Sequence, residues 1–415
     1  MTSTPSKPSP ERSSASADAP AAAPEAEATG ARSPDLPGSR LAALCALALV
    51  LVAGLGRIDP FGALSSWLTG GDALLQTPLE DHDSWDPGRG ATLLATTKKL
   101  APLAPGMQRV LVFGNSQQYT VSLPRGAAID PKERVVIASA RLGKTLEERA
   151  PGRFRVYNVG SDNQNFAEAL WQAIYWFEIA PETPGALIVQ SSFDTLRKTS
   201  VRAGYQTLLD EPRYAAALAA WIDRARPYAG DFRAAVHDHG ERKAELAGKD
   251  ETRWQTWSPE PSLRAAMDHV TLFHQREKLK SSLLGALYAL RVRGLGISPT
   301  TRRHITGAPL EQNLAALADL VALARSKGAK VFVYNAPTNP AVDMFYADEY
   351  RSYLDRTMAL CAAHGATFAD FGHAVPAEHW GFWIDGPDPI HFDDEGHAII
   401  HRLLTEEFAP LVLRR

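Results

Sequence analysis

The 415-residue sequence contains only two cysteines, Cys45 and Cys361. Neither belongs to a Cys-x-x-Cys pair or to a Cys/His pattern with the spacing of zinc ligands. Cys45 lies inside a long apolar run, so we expect no disulfide between the two. No metal site and no cofactor is predicted. The low cysteine content fits the cytoplasm and a bacterial-type periplasm equally well.

An excess of charge of one sign is also missing. The formal net charge is -3, from 44 Lys and Arg against 47 Asp and Glu. The chain has no basic stripe interleaved with aromatic residues, so nucleic-acid binding is not predicted. Hydrophobic residues make up 45% of the sequence, which is ordinary for a globular protein and sufficient for one large core.

The first 104 residues differ in composition from the rest. Residues 1–40 are rich in Ser, Pro, Ala and Glu, which predicts a disordered tail. Residues 41–56, LAALCALALVLVAGLG, carry no charge. We interpret them as a transmembrane helix or uncleaved signal anchor; a cleaved signal segment and a buried helix of a soluble domain are the alternatives. Residues 57–104, rich in Gly, Pro and Asp, are predicted to form a linker.

Basic residues are unevenly distributed around this apolar run. Four precede it, whereas Arg57 alone follows closely behind. Because positive charge favours the cytoplasmic side of a membrane, the bias places the tail in the cytoplasm. The expected protein is a single-pass membrane protein whose remaining domain, residues 105–415, is extracytoplasmic.

Strand and helix patterns alternate within that domain. Apolar runs rich in β-branched residues predict five strands, at 109–116, 154–161, 185–192, 329–337 and 366–371. Helical periods lie between them, which predicts the α/β class: a doubly wound, three-layer parallel sheet of flavodoxin-like type. Residues 200–308 are predicted to be a helical insertion. Its apolar stripe from Leu279 to Leu290 suits a lid, a partner surface, a membrane-facing side or packing within the domain.

Two polar motifs fall where such a sheet binds ligands. Gly114-Asn115-Ser116 ends the first strand, and the carboxyl ends of parallel strands are the usual site of chemistry. Asp388-Pro389-Ile390-His391 lies in a Pro-containing loop before the last helix. A serine nucleophile needs a base, and that base needs a carboxylate to orient it. Ser116, His391 and Asp388 are therefore the candidate catalytic group.

With these motifs the chain resembles the SGNH (GDSL-like) hydrolase family. Gly114-Asn115-Ser116 is similar to its first block, Asn158-Val159-Gly160 to its second, and Asp388-Pro389-Ile390-His391 to its last. The resemblance covers roughly residues 105–199 and 309–410. It implies that Ser116 is the nucleophile, that His391 is the base held by Asp388, and that the N–H groups of Ser116 and Gly160 face the oxyanion.

The third block of the family departs from the usual pattern here. The family has an Asn that completes the oxyanion hole, whereas this sequence reads Ser191-Ser192-Phe193-Asp194. Ser191, Ser192, Asn163 and Asn335 are the candidate replacements. Loss of one such donor typically costs about 2.7–4 kcal/mol of transition-state stabilisation.

Each candidate also has a structural interpretation. Ser116 could cap the helix that follows it, and His391 could be a loop residue hydrogen-bonded to the backbone. Gly160 could simply form a turn. Asp385 competes with Asp388 for the orienting role.

Three further polar residues near the strand ends are predicted to bind substrate: Asn115, Asp194 and Asn335. A structural ion pair is the alternative for Asp194. Turn formation is the alternative for Asn335.

The resemblance and the apolar run together predict a function. We expect an extracytoplasmic serine esterase or O-acyltransferase that acts on an acylated cell-envelope glycan through an acyl-enzyme. A multi-pass membrane acyltransferase is the expected partner. The alternatives are a non-catalytic SGNH-like scaffold that binds polymer or that partner, and a lipase-like enzyme in which the apolar helices of residues 262–292 form a lid.

Overall fold

The computed structural model describes Leu94 and residues 103–122, 136–251, 302–383 and 386–414. All of them belong to a unit that spans Leu55–Arg415. The predicted tail, the apolar run 41–56, nearly all of the linker and the apolar stripe of the insertion lie outside the described residues. Within the described ranges, no helix combines the length and the apolar composition needed to span a bilayer.

Five runs of mainly apolar residues form a parallel sheet, as the sequence predicts. Residues 110–113 of the first strand are fully buried because helices cover both faces of the sheet. The strands of this sheet are β1 (Gln108–Phe113), β2 (Phe154–Asn158), β3 (Ala186–Ser191), β4 (Lys330–Asn335) and β5 (Thr367–Asp370).

The order of the strands places β1 and β3 at the centre. The order is β2-β1-β3-β4-β5, with every pair parallel. Val110 of β1 pairs with Val156 on one side and with Ala186 on the other. The chain changes direction across the sheet between β1 and β3. In open α/β sheets ligands bind at this switch point, beyond the carboxyl ends of the strands.

Helices flank the sheet on both faces. They are α1 (Ala138–Arg149), α2 (Phe166–Ile174), α3 (Ala203–Gln206), α4 (Pro212–Ile222), α5 (Ala229–Glu251), α6 (Ala308–Ser326), α7 (Ala347–Ala363), α8 (Asp394–Glu407) and α9 (Ala409–Leu413). One core contains Leu111 and Phe113 of β1 with side chains of α2, α6 and α7. A second core contains Val110 and Val112 with side chains of α1 and α8. This is the three-layer arrangement expected from the sequence.

The segment that carries His391 differs from the prediction. It is a strand, β7 (Gly386–Phe392), paired antiparallel with β6 (Trp380–Trp383), and not an irregular loop. Proline is unusual inside sheets because it lacks an N–H, but it is tolerated in edge strands. A two-stranded ribbon consists of edges alone, and this accounts for Pro387 and Pro389 within β7.

The helix that follows Gly160 is α2. It starts at Phe166 because Asn165 is its N-cap. The Asn165 Oδ1 accepts the Glu168 N–H at 2.8 Å, and the Glu168 side chain accepts the Asn165 N–H at 3.4 Å. This reciprocal capping box fixes the start of α2.

The described part of the insertion packs on the sheet domain. The Trp171 ring of α2 contacts Tyr214 of α4 and Phe232 of α5, with centroids 5.8 and 5.1 Å apart. The Tyr214 hydroxyl also donates to the Trp171 carbonyl at 2.7 Å. Residues 205–235 therefore extend the core on the α2 side.

Candidate active site

Ser116 begins a single helical turn directly after the central strand β1. The turn spans Ser116–Gln118, and Asn115 caps it by accepting the Gln117 N–H with its side-chain oxygen at 3.0 Å. Ser116 itself is half-buried, whereas its two neighbours are buried. The small turn thus holds one hydroxyl at the carboxyl edge of the sheet.

The hydroxyl of Ser116 contacts the imidazole predicted to be its base. Ser116 Oγ lies 2.8 Å from His391 Nε2, and His391 Nδ1 lies 3.1 Å from Asp388 Oδ2. Both distances are within hydrogen-bond reach. The structure therefore brings Ser116, His391 and Asp388 together in the order that a nucleophile, a base and an orienting carboxylate require.

The surroundings of Asp388 keep its carboxylate ionised. Burial by itself would raise the pKa of Asp388. Hydrogen bonds from the His391 side chain and from the N–H groups of Ile390 and His391 outweigh it and lower that pKa. The two N–H groups lie 2.9 and 3.0 Å from Oδ1, which leaves Oδ2 for the imidazole. A carboxylate only accepts, so Nδ1 carries the proton and Nε2 is free to accept one from Ser116.

Gly160 differs from its predicted role. Its N–H donates to the Asn158 side-chain oxygen at 3.0 Å and is therefore occupied within the protein. The glycine is required for another reason: a Cβ at this position would lie 2.5 Å from the Gly114 carbonyl oxygen. Gly160 therefore allows the end of β2 to approach residues 114–118 closely. We call these residues the nucleophile segment, after the predicted role of Ser116.

Asn115 remains eligible to contact a substrate. Its oxygen caps the Ser116 turn and its N–H donates to Gln190 Oε1 at 3.1 Å. Among the described residues, its side-chain nitrogen has no hydrogen-bond acceptor. That nitrogen is the part of Asn115 left for the predicted contact.

Asp194 and Asn335 are used differently from the prediction. The Asp194 carboxylate is buried and lies 2.6 Å from Nη1 of the partly buried Arg303. The Asn335 amide donates to the Tyr350 hydroxyl and to Asp370 Oδ1, both at 2.7 Å. Since both side chains are buried and occupied, the substrate-binding predictions for them are not supported.

The segment at the third family block offers no side-chain amide. Ser191 is fully buried, and its hydroxyl is hydrogen-bonded to the Tyr353 hydroxyl. Phe193 stacks on the Tyr353 ring with centroids 4.8 Å apart. Aromatic packing therefore occupies this point of the sheet edge, where the family resemblance implies a polar donor.

Two buried glutamines support the nucleophile segment, and sequence reasoning missed both. Gln164 Oε1 accepts the Gly114 N–H at 2.8 Å, and Gln190 Oε1 accepts the Asn115 N–H at 3.1 Å. The available signal was the polar Gln190 near the end of the buried run ALIVQS, because a buried amide requires partners.

A set of potential metal ligands lies on the surface of α5 in the described part of the chain: His237, Asp238 and Glu241. All three are exposed, and exposed acidic groups of this kind are common without an ion. They form no part of the serine, histidine and aspartate group.

Comparison with known proteins gives structural matches alone. No family model matches the sequence, and no curated protein sequence matches it either. LAE5, an alpha/beta hydrolase from the metagenome of Lake Arreo, is 13% identical, with a TM-score of 0.36 over 74% of this chain and 97% of that chain. Axe2, an acetylxylan esterase from Geobacillus stearothermophilus, is 11% identical, with a TM-score of 0.35 over 72% and 93%. TesA is 14% identical, with a TM-score of 0.33 over 73% and 99%.

The chain is similar to solved hydrolases and esterases. TM-scores of this size do not establish a shared fold. The residue roles therefore depend on the contacts of Ser116, His391 and Asp388 in this chain.

Proposed function

We propose that the protein is a serine esterase or O-acyltransferase of the SGNH type. The observation that supports this is the continuous hydrogen-bonded path from Ser116 Oγ through His391 to Asp388, with distances of 2.8 and 3.1 Å. The carboxylate and imidazole are partly shielded from solvent, with 2% and 18% of their side chains exposed. That environment strengthens the charge interactions on which acyl transfer depends.

The proposed reaction proceeds through an ester on Ser116. Its Oγ attacks the carbonyl carbon of the substrate while the hydroxyl proton moves to His391 Nε2. The tetrahedral intermediate then collapses, and the leaving alkoxide takes that proton, which gives the acyl-enzyme and a free alcohol. Water or a sugar hydroxyl next attacks the acyl carbon, giving its proton to His391, which returns it to Ser116 Oγ.

The oxyanion needs hydrogen-bond donors. Among the described residues the Ser116 N–H has no acceptor, which leaves it available as one donor. Asn163 is our second candidate, through its backbone N–H. It lies in the exposed turn after β2 with a positive φ of 49°. The adjacent Asp162 accepts a hydrogen bond from the Tyr119 hydroxyl. Tyr119 directly follows the turn Ser116–Gln118, so this contact supports a position of Asn163 near Ser116.

The proposed substrate is an acylated glycan of the cell envelope. This part of the proposal rests on the apolar run 41–56, because an anchored enzyme outside the cytoplasm meets envelope polymers without diffusing away. A multi-pass membrane acyltransferase is the proposed partner if a sugar hydroxyl and not water receives the acyl group.

The decisive experiment compares the full chain with its Ser116→Ala variant. We expect the full chain to hydrolyse a short acyl ester and to react covalently with a fluorophosphonate probe. The variant should lose about 10⁴-fold or more in kcat and should not be labelled. Equal rates in both proteins would contradict the assignment of Ser116.

A non-catalytic scaffold is the second candidate. Phe193 at the usual amide position and the occupied Gly160 N–H favour it, because both reduce the donors available to an oxyanion. A scaffold would bind an acylated glycan with similar affinity in the wild type and in Ser116→Ala, and the probe would label neither.

A further inference from the structure

A chain of buried side-chain amides lies behind the Ser116 turn. Gln190 Oε1 accepts the Asn115 N–H at 3.1 Å, and Gln190 Nε2 donates to Gln117 Oε1 at 2.6 Å. Gln117 Nε2 in turn donates to the carbonyl oxygens of Ile390 at 2.6 Å and Pro337 at 3.0 Å. We call Gln190 and Gln117 the amide chain. Both side chains are buried, so water does not compete for these bonds.

The orientation of each amide follows from the ends of the amide chain. The Asn115 N–H only donates, so it must face Gln190 Oε1. The carbonyls of Ile390 and Pro337 only accept, so they must face Gln117 Nε2. The remaining contact, between Gln190 Nε2 and Gln117 Oε1, then pairs a donor with an acceptor. No alternative flip of either amide satisfies all of these contacts.

The amide chain connects the sequence neighbours of the proposed nucleophile and base. Asn115 and Gln117 flank Ser116, and Ile390 directly precedes His391. Gln117 therefore joins the backbone beside the serine to the backbone beside the histidine. The Ser116 to His391 distance of 2.8 Å is thus supported from both ends.

Gly114, the residue before Asn115, leaves space for the Gln190 side chain of the amide chain. A Cβ at Gly114 would lie 2.5 Å from Gln190 Oε1 and 2.8 Å from Gln190 Cβ. Any larger residue at this position would therefore displace the Gln190 side chain. The glycine of Gly-Asn-Ser therefore leaves room for the Gln190 amide, which accepts the N–H of the next residue, Asn115.

A further amide holds the other end of the histidine segment. Asn339, which is buried, donates from Nδ2 to the Asp388 carbonyl oxygen at 2.8 Å. The segment from Asp388 to His391 is therefore held at Asp388 by Asn339 and at Ile390 by Gln117. Removing Gln117 would break the contact at the Ile390 carbonyl, directly before the imidazole.

We propose that Gln117 is a positioning residue that sets the distance between Ser116 Oγ and His391 Nε2 by holding the Ile390 carbonyl. This inference rests on the proposed acyl-transfer function. Both amide atoms of Gln117 are bonded within the protein, so it acts through the backbone on either side of the contact. It should therefore affect the rate of acylation and not the affinity for substrate.

The test compares Gln117→Met with a matched control, Asn313→Leu, in the full chain. Asn313 is also fully buried, and its amide donates to three carbonyl oxygens, those of Leu196, Lys198 and Pro309, at 3.0, 2.8 and 3.0 Å. Both variants lose a buried amide that holds several loops, so both should unfold at lower temperature. Only Gln117→Met should lose activity.

For Gln117→Met we expect kcat for a short acyl ester to fall about 100-fold, with KM changed by less than about twofold. The rate of fluorophosphonate labelling should fall in parallel. Asn313→Leu should keep the wild-type kcat. A kcat for Gln117→Met within about twofold of wild type, together with a stability loss equal to that of the control, would overturn the proposal. If Gln117→Met does not fold, Gln190→Met breaks the amide chain one step earlier, and the same outcomes apply.

A second readout does not require activity. The Nδ1–H proton of His391 should give a low-field NMR resonance that is absent from His391→Gln. We expect it to be lost by solvent exchange in Gln117→Met and retained in Asn313→Leu. If the wild type neither hydrolyses esters nor is labelled, the proposed function fails, and this resonance alone decides the positioning role. Retention in both variants would contradict that role.

Discussion

The hydroxyl of Ser116 lies 2.8 Å from Nε2 of His391, although 275 positions separate the two in sequence. Ser116 follows the central strand β1, whereas His391 lies on β7, outside the main sheet. The Ser122 N–H donates to the Phe392 carbonyl at 3.0 Å. A backbone contact directly beside the imidazole therefore helps to bring the two distant segments together.

Replacing Asp388 by Asn should abolish most of the activity while leaving the fold intact. An amide at this position no longer requires a proton on His391 Nδ1, and it does not stabilise the imidazolium that forms during acylation. We expect kcat for a short acyl ester to fall by up to about 10⁴-fold, measured in steady-state assays.

Asp393→Asn is the matched control for Asp388→Asn. Asp393 caps α8 by accepting the Gly396 N–H at 2.9 Å, and Asn is an equally good cap. This variant loses the same charge five residues away and should keep the wild-type kcat. An equal loss of activity in both variants would mean that net charge near β7, and not the orientation of His391, controls the rate.

Replacing Gly160 by Ala should reduce both stability and activity. The added Cβ would lie 2.5 Å from the Gly114 carbonyl oxygen, and a backbone atom has little room to move. Overpacking of this kind typically costs about 1–3 kcal/mol. The displaced Gly114 would also shift Ser116.

Urea unfolding and kcat both test the Gly160 variant, with Gly230→Ala as its control. A Cβ at Gly230, in α5, has no neighbour within 4 Å. That substitution should be neutral or slightly stabilising. A Gly160→Ala protein as stable and active as Gly230→Ala would contradict the close approach of β2 to the nucleophile segment.

The sequence was sufficient to predict the sheet and the two motifs that carry Ser116 and His391, and the family resemblance implied their contact. Buried parallel strands produce continuous apolar runs such as residues 110–113. The position of Gly-Asn-Ser at the end of one run follows from where such sheets place polar residues. The spacing in Asp388-Pro389-Ile390-His391 allows a carboxylate and an imidazole to meet within one segment. These features are local, so a single sequence reveals them.

The remaining contacts of the site depend on residues that are distant in sequence. The Gln117 side chain meets Pro337 and Ile390, and no local pattern indicates either contact. Asp194 forms the structural ion pair that was its alternative interpretation, but its partner at 2.6 Å, Arg303, lies 109 positions further along the chain. The hydrogen bond from the Gly160 N–H to the Asn158 side chain was not predicted. It depends on the rotamer of Asn158, which sequence patterns do not determine.

Asn163 should tolerate glycine but not valine. Its φ of 49° lies in the left-handed region, where glycine is unstrained and a β-branched residue is strongly disfavoured. Asn163→Gly should therefore keep wild-type stability and activity. Asn163→Val should distort the turn and, if its N–H faces the oxyanion, lower kcat by about 10²-fold or more with little change in KM. A fall in stability alone would remove Asn163 from the site and leave it a structural turn residue.

The buried imidazole of His397 should make the protein less stable in mild acid. Burial lowers its pKa from the usual value near 6.5 to about 4. The neutral ring is held between two backbone groups: Nε2–H donates to the Thr120 carbonyl at 3.2 Å, and Nδ1 accepts the Ala138 N–H at 3.4 Å. Protonation of Nδ1 would break the second contact and place a charge in the core.

The sign of the pH effect follows from proton linkage. Between about pH 6.5 and about pH 4 the unfolded chain binds a proton at His397 that the folded chain does not. The free energy of unfolding should therefore be fully maintained above about pH 6.5 and should fall as the pH falls through this window. Burial also lowers the pKa of His401, which adds a slope of the same sign.

Urea unfolding of the wild type and His397→Gln at about pH 7 and about pH 4.5 measures this effect. The variant cannot titrate at this position, so its stability should depend less on pH, with the slope from His401 remaining. The control is His237→Gln, which removes an imidazole that is 70% exposed and lies outside the core. If His397→Gln keeps the full slope, groups other than His397 cause the acid sensitivity, and the buried neutral imidazole does not contribute to it.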